Sequence, residues 1–401
     1  MNKISIVSTG LGNKNLLTAE GLKAIENSDT IIGAEKLIKE FGNGKETIVL
    51  KGNLDYIGNF IKENYEKRSI AVLVTGDAGL YSLAQSIKKR LDEDIPCEII
   101  PGVGSLQYLC GKVGIGYENL KIVSLHGKKG SILPYVSYNK TLFVITGGEI
   151  KAHDVIKELC DNGLGDVRIC AGENMSHEDE RILKGIAKEL LGCEFKDLTS
   201  LIIENDNYVD SYTPLLDSDF VRSKVPMTKE ETRWITVSKM NIHPQDVIYD
   251  IGAGTGSVTI EMARKANEGM VYGIERNPEG VSLINDNKAK LGAFNVKVIE
   301  GLAPECLSHL PKPDKVFIGG SCGNMREIIE AVLEKNPQVK VVINTVTLES
   351  LNDSLSALKD LNFNMDIINM NVSRAYSLGG YNLMKANNPI YIISGEKNYE
   401  D

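Results

Sequence analysis

The 401-residue sequence has no apolar run approaching the roughly 20 residues that a membrane span requires. It also lacks a Cys-x-x-Cys pair and any cluster of histidines, so no ligand set for a structural zinc is present and no metal is expected. Its seven cysteines, at 97, 110, 160, 170, 193, 306 and 322, are odd in number and scattered. They are expected to be buried thiols of a reducing compartment rather than a disulfide framework. Positive charge is in deficit too: 45 Lys plus Arg face 54 Asp plus Glu, a formal net charge of -9. That is the wrong sign for holding nucleic acid by phosphate neutralisation, so none is expected as a partner, with only a local basic patch left open. The opening "MNKISIVSTGLG" reads as a strand rather than a signal peptide. A cytoplasmic protein with no membrane partner is the expectation.

What is present is an ordinary globular composition, 42% hydrophobic and 25% charged, in a chain long enough for two domains of roughly 200 residues each. Strand-like apolar runs alternate with helical patterns in both halves, which predicts an α/β fold built on parallel sheets. In the first half, strands are predicted within 3–12, 30–34, 69–75, 97–100, 120–125, 141–146, 167–171 and 200–204. The stretch "DSYTPLLDSDFVRSKVP" (210–226) mixes acids, Ser and Pro without periodicity and reads as a linker. Beyond it the pattern restarts with a helix "KEETRWITVSKM", a strand at 246–254, a helix to about 266, a strand at 270–275, and later strands in "PDKVFIGGS" and "VKVVINTV". The halves share this alternation but no motifs, so two different domains are expected, at 1–212 and 221–401.

"DIGAGTGSV" (250–258) places Gly252, Gly254 and Gly256 directly after a strand, with Ser257 where a dinucleotide fingerprint needs its third glycine. Tightly spaced glycines let the backbone lie against the uncharged body of a ligand. The carboxylate of Asp250 suits the free ammonium of an amino-acid tail. The next strand ends in Glu275, which is placed to accept both hydroxyls of a ribose. One ribose without a pyrophosphate points to S-adenosylmethionine. The bland alternative, a tight strand-to-helix turn, does not explain Asp250, Glu275 and "EGLAPE" (300–305) in succession.

These residues carry a resemblance. From Pro226 to Gly395 the chain resembles the cobalamin-pathway enzymes that methylate C15 of a precorrin and decarboxylate its C12 acetate, through "PMTKEETR", "VIYDIGAGTGSVTIEMAR", "VYGIERNPEGV", "NVKVIEGLAPECL", "VFIGGSCGNMREIIEAVL" and "VSRAYSLGGYNLM". The resemblance implies a Rossmann-like class I methyltransferase domain. It also implies cofactor contacts at Thr228, Asp250, Gly252, Ala253, Gly254, Thr255 and Gly256, with Glu275 on ribose and Ala303 beside adenine.

The first half is similar to the tetrapyrrole methylases, and among them to the branch that methylates C5 of a precorrin. Its carriers are "VSTGLGNKNLLTAEGLKAI", "VTGDAGLYSLA", "PGVGSLQYLCGKVGIGYENLKIVSLHGK" and "AGENMSHEDERI". Ala78 replaces the usual proline of the Gly-Asp-Pro loop, and Gly104 a usual serine. The implied fold is a class III methyltransferase of two α/β subdomains, with a second S-adenosylmethionine on loops carrying Gly10, Gly76, Asp77, Gly102 and Ser105. Asp77 also precedes a helical pattern and is equally an N-cap candidate. Together the halves resemble a fused pair that acts on a precorrin or cobalt-precorrin. Both families tend to associate, so a homo-oligomer is expected.

Methyl transfer from a sulfonium is an in-line displacement in which positioning and desolvation supply most of the acceleration, which fits the scarcity of catalytic-looking residues. The polycarboxylate substrates of this family demand local positive charge on an acidic protein. Candidates for substrate contact are Lys128 and Lys129 in "HGKKG", Arg181 in "DERI", Arg233, Arg374 in "VSRA", and His126, which is equally a satisfied structural histidine. Rival readings are a methyltransferase for RNA or protein, which the acidic balance disfavours, and a noncatalytic cofactor binder, which two cofactor patterns disfavour.

Overall fold

The computed structural model describes residues 3–127 and 130–397. By packing, the chain divides into two compact units that are not contiguous in sequence: Met1–Gly130 with Thr141–Glu204, and Ser131–Lys140 with Asn205–Asp401. No helix among the described residues is long and apolar enough to cross a membrane.

The first unit holds two five-stranded sheets. Strands β1 (Ile4–Ser8), β2 (Thr30–Gly33), β3 (Glu46–Val49), β4 (Ile70–Val74) and β5 (Cys97–Ile100) form the first, all parallel, in the order β3-β2-β4-β1-β5. β1, β2 and β4 are buried along their whole length, as continuous apolar runs covered on both faces should be. β6 (Lys121–Ser124), β7 (Thr141–Ile145), β8 (Arg168–Glu173), β9 (Arg181–Ile186) and β10 (Thr199–Glu204) form the second, in the order β6-β7-β10-β8-β9, with only β6 and β7 parallel. β3 and β9 are absent from the sequence-based reading, because β3 is four residues and mostly exposed, and β9, half-buried, is interrupted by Lys184 and Gly185.

The second unit contains β11 (Val247–Ile251), β12 (Met270–Glu275), β13 (Val296–Glu300), β14 (Lys315–Ile318), β15 (Lys340–Thr345), β16 (Phe363–Met370), an exposed hairpin β17 (Ser373–Leu378) and β18 (Tyr381–Ala386), and β19 (Ile390–Lys397). The seven-stranded sheet runs β13-β12-β11-β14-β15-β19-β16, parallel except at β19. From β11 the chain winds outward to β13, then returns to lay β14 on the other side of β11. The crevice outside the carboxyl ends of β11 and β14 is therefore a topological switch point, where open α/β sheets take their ligands.

The stretch read as a linker is a built part of the second unit. Leu215, Asp217 and Phe220 are buried, and Leu215 and Phe220 belong to the core that includes Val237, Ile248 and Val258. The short helix Leu133–Tyr138 also packs here: the Tyr138 hydroxyl donates to Asn295 Oδ1 at 2.8 Å, and the Asn295 amide donates to the carbonyls of Ala263, Ala266 and Gly269.

Of the seven cysteines, all free, two, Cys110 and Cys170, are buried as expected; Cys97, Cys160, Cys193 and Cys306 are half-buried, and Cys322 is exposed on the loop after β14.

Candidate functional site

At the end of β11 the chain turns under the loop that follows β14. Gly252 has φ +75°, and a Cβ there would lie 2.7 Å from the carbonyl oxygen of Gly320, so no side chain fits. The backbone N–H groups of Gly252 and Ala253 both donate to the carbonyl of Ile274, locking the turn to the end of β12. Glu275 closes it: Oε2 accepts from the Gly254 N–H and Oε1 from the Asn277 N–H, each at 2.8 Å. Each oxygen keeps a second lone pair, enough for the two hydroxyls of a ribose.

Asp250 lies beneath the turn, fully buried. Thr259 donates to its Oδ2 at 2.5 Å, while Oδ1 has no partner, and neither has the nearby buried hydroxyl of Thr255. Burial pushes the Asp250 carboxyl up to about 7, against the Thr259 hydrogen bond and with the charge of Glu275 adding to the rise. An orphaned buried carboxylate oxygen is costly, and a cationic ligand group would relieve it.

Two cavities meet at Glu275. The larger, about 630 Å³, is walled by the segment 225–229, the glycine turn, Phe317, Asn344, Met370, Val372 and Asn387. The smaller, about 190 Å³, lies against Leu302, Ala303, Ser321 and Ile328 and shares Gly252, Glu275 and Arg276 with the first. A flat base in the smaller, a ribose at Glu275 and an amino-acid tail toward Asp250 would fit this arrangement. The structure thus gathers Thr228, Asp250, Gly252, Ala253, Gly254, Thr255 and Glu275 around one cavity and puts Ala303 in the other. Gly256 caps the helix Ser257–Lys265, and a Cβ on it would press on Ile284.

The expected substrate cations fare differently. Arg233 has no solvent exposure: its guanidinium donates to the carbonyls of Thr228 (2.9 Å) and Leu215 (2.7 Å), pairs with Asp217 (3.1 Å) and lies 4.6 Å from the Phe220 ring centroid. It cannot meet a substrate carboxylate, and its place is structural. Arg374, on β17, is bound by Glu230 and Glu231. Arg181, on β9, pairs with the buried Glu173 and donates to the Glu194 carbonyl at 2.6 Å. Both sequence positions read as free cations because their acidic partners lie on other elements. Lys128 and Lys129 lie outside the described residues. His126 is exposed after β6, with its ring against Gly147.

In the first unit the loops after β1, β4 and β5 converge, because these strands are neighbours in the sheet. The Gly76 N–H donates to the Gly10 carbonyl at 2.7 Å, the Ala78 N–H to Ser8 Oγ at 2.8 Å, and a Cβ on Gly102 would touch the Ser8 carbonyl. Asp77 sits against Gly104 and accepts the Gly79 N–H in an Asx turn; the helix Leu83–Lys88 is capped by Ser82, so Asp77 is not its N-cap. Ser105 opens the helix Ser105–Val113. Gly10, Gly76, Asp77, Gly102 and Ser105 therefore share one sheet end. The loop after β8 is tied to it: the Asn13 amide donates to the Ser176 carbonyl at 2.8 Å.

Sequence reasoning missed Arg276, Asn344 and the outer wall from Met370 to Asn388. Arg276 adjoins a residue that was identified, and Asn344 is the last residue but one of β15, beside the switch point, so both were within reach of the rule that ligands sit at carboxyl ends. The Asn344 amide is fixed by Thr236 Oγ1 at 2.8 Å. The 370–388 wall carried a family resemblance from Val372 to Met384 but no pattern that placed it at the cavity.

Residues 219–397 match the family model described as the precorrin methyltransferase domain, and residues 3–191 that of the tetrapyrrole (corrin/porphyrin) methylases. A probable cobalt-precorrin-6B C(15)-methyltransferase (decarboxylating) of Saccharolobus solfataricus is 40% identical over 197 residues, 48% of this chain and 98% of that protein. Its counterpart in Methanococcus vannielii is 36% identical over 182 residues, 45% of this chain and 98% of that protein. Among solved structures, a precorrin-6y C5,15-methyltransferase from Geobacter metallireducens is 38% identical, covering 46% of this chain and 96% of that one, with a TM-score of 0.44.

Proposed function

Because this chain belongs to the precorrin methyltransferase family, we propose that it methylates a precorrin or cobalt-precorrin at C5 and C15 and removes carbon dioxide from the C12 acetate during corrin-ring synthesis. It is a methyltransferase, and its methyl donor is S-adenosylmethionine. The finer reading is one cofactor per unit: C15 chemistry at the Asp250–Glu275 turn and C5 chemistry on the loops of Gly10, Gly76 and Gly102. The observation that carries it is the orphaned Oδ1 of Asp250 beneath a glycine turn closed by Glu275, a site complementary to a ribose bearing a cationic amino-acid tail.

The bound cofactor supplies an electrophilic methyl group. The protein's work is to hold that group in line with a ring carbon and to keep water out. A partly reduced tetrapyrrole is itself an enamine-like carbon nucleophile, so no side chain need attack. Methylation of C15 leaves an iminium-like system on the macrocycle that accepts the electron pair released as the C–CO2 bond breaks; the substrate is its own electron sink. Asn344, held by Thr236, and Asn387 offer neutral amides in the lining of the cavity. They can orient an acetate without stabilising its charge too well.

Self-association belongs to the same reading and is supported by the exposed Leu378, Tyr381 and Met384 of the β17–β18 hairpin; sedimentation of the full chain tests it. The function is tested by calorimetric titration with S-adenosylmethionine and by turnover. Two sites, methyl transfer to a precorrin with carbon dioxide release, and none to RNA are expected. A single site, or methylation of RNA, would overturn it.

A further inference from the structure

We infer that Arg276 is the residue that anchors a substrate carboxylate at the mouth of the C15 site. The inference rests on the methyltransferase reading of that cavity.

Glu275 and Asn277 fix the backbone on either side of Arg276. The first ends β12 with its carboxylate closed over two N–H groups, and the second caps the helix Pro278–Lys290 by accepting from the Glu279 N–H at 3.0 Å. The side chain between them is exposed and lines both cavities where they join. It forms no hydrogen bond or ion pair with any other described residue. The acid beside it is turned to backbone donors and forms no ion pair with the guanidinium.

The other arginines around this region are committed. Arg222 donates to the Asp217 carbonyl, Arg233 is buried against Asp217, Arg264 serves Thr213 and Glu261, and Arg374 is held by Glu230 and Glu231. Only Lys229 and Arg276 bring positive charge to the lining of the larger cavity among the described residues, and Lys229 lies 3.8 Å from Asp217. In a chain of net charge -9, a polycarboxylate ligand approaching the methyl donor has one uncommitted guanidinium to meet. A planar fork of donors suits a carboxylate better than an ammonium does.

The test compares Arg276→Met and Arg276→Lys in the full chain with precorrin as substrate, reading C15 methylation, carbon dioxide release and C5 methylation separately. For Arg276→Met the KM of the C15 reaction should rise about tenfold with kcat nearly unchanged, as loss of a charge-assisted contact made equally in ground and transition states predicts. Arg276→Lys should recover part of that loss. The wild-type KM should climb with salt more steeply than that of Arg276→Met. C5 methylation should keep its KM, which reports an intact fold. An unchanged C15 KM would overturn the assignment. So would a matching loss of S-adenosylhomocysteine affinity measured without substrate, which would place the guanidinium on the adenine instead. Failure of the wild-type chain to methylate a precorrin at all would instead refute the underlying function.

Discussion

The guanidinium of Arg233 donates to the carbonyl of Thr228 from a position with no access to solvent. Thr228 belongs to the 225–229 wall of the large cavity, and the same guanidinium holds Leu215 and Asp217. The arginine thus fastens the 215–217 stretch to the wall of the large cavity. Arg233→Met would take one cation from Asp217 and from the buried Glu261; Arg222 and Lys229 stay near Asp217 and Arg264 near Glu261, so the loss should fall below the ~3–5 kcal/mol of a buried charge left unpaired. A lowered Tm and weakened cofactor binding at one site of two are expected, by calorimetry. Unchanged affinity at both sites would reduce Arg233 to a core residue.

Glu275→Ala should remove the ribose contact together with the acceptor of the Gly254 and Asn277 N–H groups. Loss of a charge-assisted hydrogen-bonded group costs about 1.5–3 kcal/mol, or roughly ten- to hundredfold in affinity. C5 methylation should be spared. Equal loss of both methylations in a folded variant would contradict the placement.

Asp250 makes the second site sensitive to pH. Its carboxyl is raised from 3.8 to about 7, chiefly by burial. The native state therefore binds the extra proton, and the stabilisation this gives is complete below about 4 and lost as pH rises through about 7. The displacement corresponds to ~4 kcal/mol at most. Asp250→Asn should flatten that slope in denaturation curves taken from pH 5 to 8. A cofactor ammonium favours the charged carboxylate, so binding at this site should tighten with rising pH and release a proton. Titrations in buffers of different ionisation enthalpy read that proton directly; none released near pH 6 would mean Asp250 does not face the ammonium.

Decarboxylation should follow the second unit alone. Gly254→Asp, at a residue with φ +57°, strains the turn and repels the cofactor's carboxylate, and should abolish C15 methylation and carbon dioxide release together. Asp77→Ala should leave carbon dioxide release intact while a C15-methylated, C5-unmethylated pigment accumulates. Mass spectrometry of the pigment and carbon dioxide per methyl transferred decide the matter. Carbon dioxide from the Gly254 variant without methyl transfer would mean that the protein supplies its own electron sink.

The parts legible in the sequence were those whose signal is local. β1, β4 and β11 are buried apolar runs followed within two residues by glycine, and β12 is one that ends in an acid. Arg233 was not legible as a buried group. The helix Glu230–Met240 turns Thr232, Arg233 and Thr236 inward, so its polar residues mark the buried face that apolar ones normally mark. The 210–226 stretch reads as a linker for the same reason: its buried residues are held by Glu261, Glu230 and Arg233, all distant in sequence. The hairpin β17–β18 is exposed on both faces and carries no alternation for a strand reading to find.

The helix Leu133–Tyr138 has a consequence for the order of synthesis. Its hydrogen-bond partner Asn295 is translated 157 residues after Tyr138, which at about 5–20 residues per second is a wait of roughly 8–30 s on the ribosome. During that interval β6 and β7 have both emerged, and the segment between them, whose Leu133, Val136 and Tyr138 are all buried in the finished protein, has Asn205 and Val209 to bond but lacks the Asn295 side of its packing. A nascent chain halted before Asn295 would therefore present an apolar helix to chaperones even after its first sheet had closed.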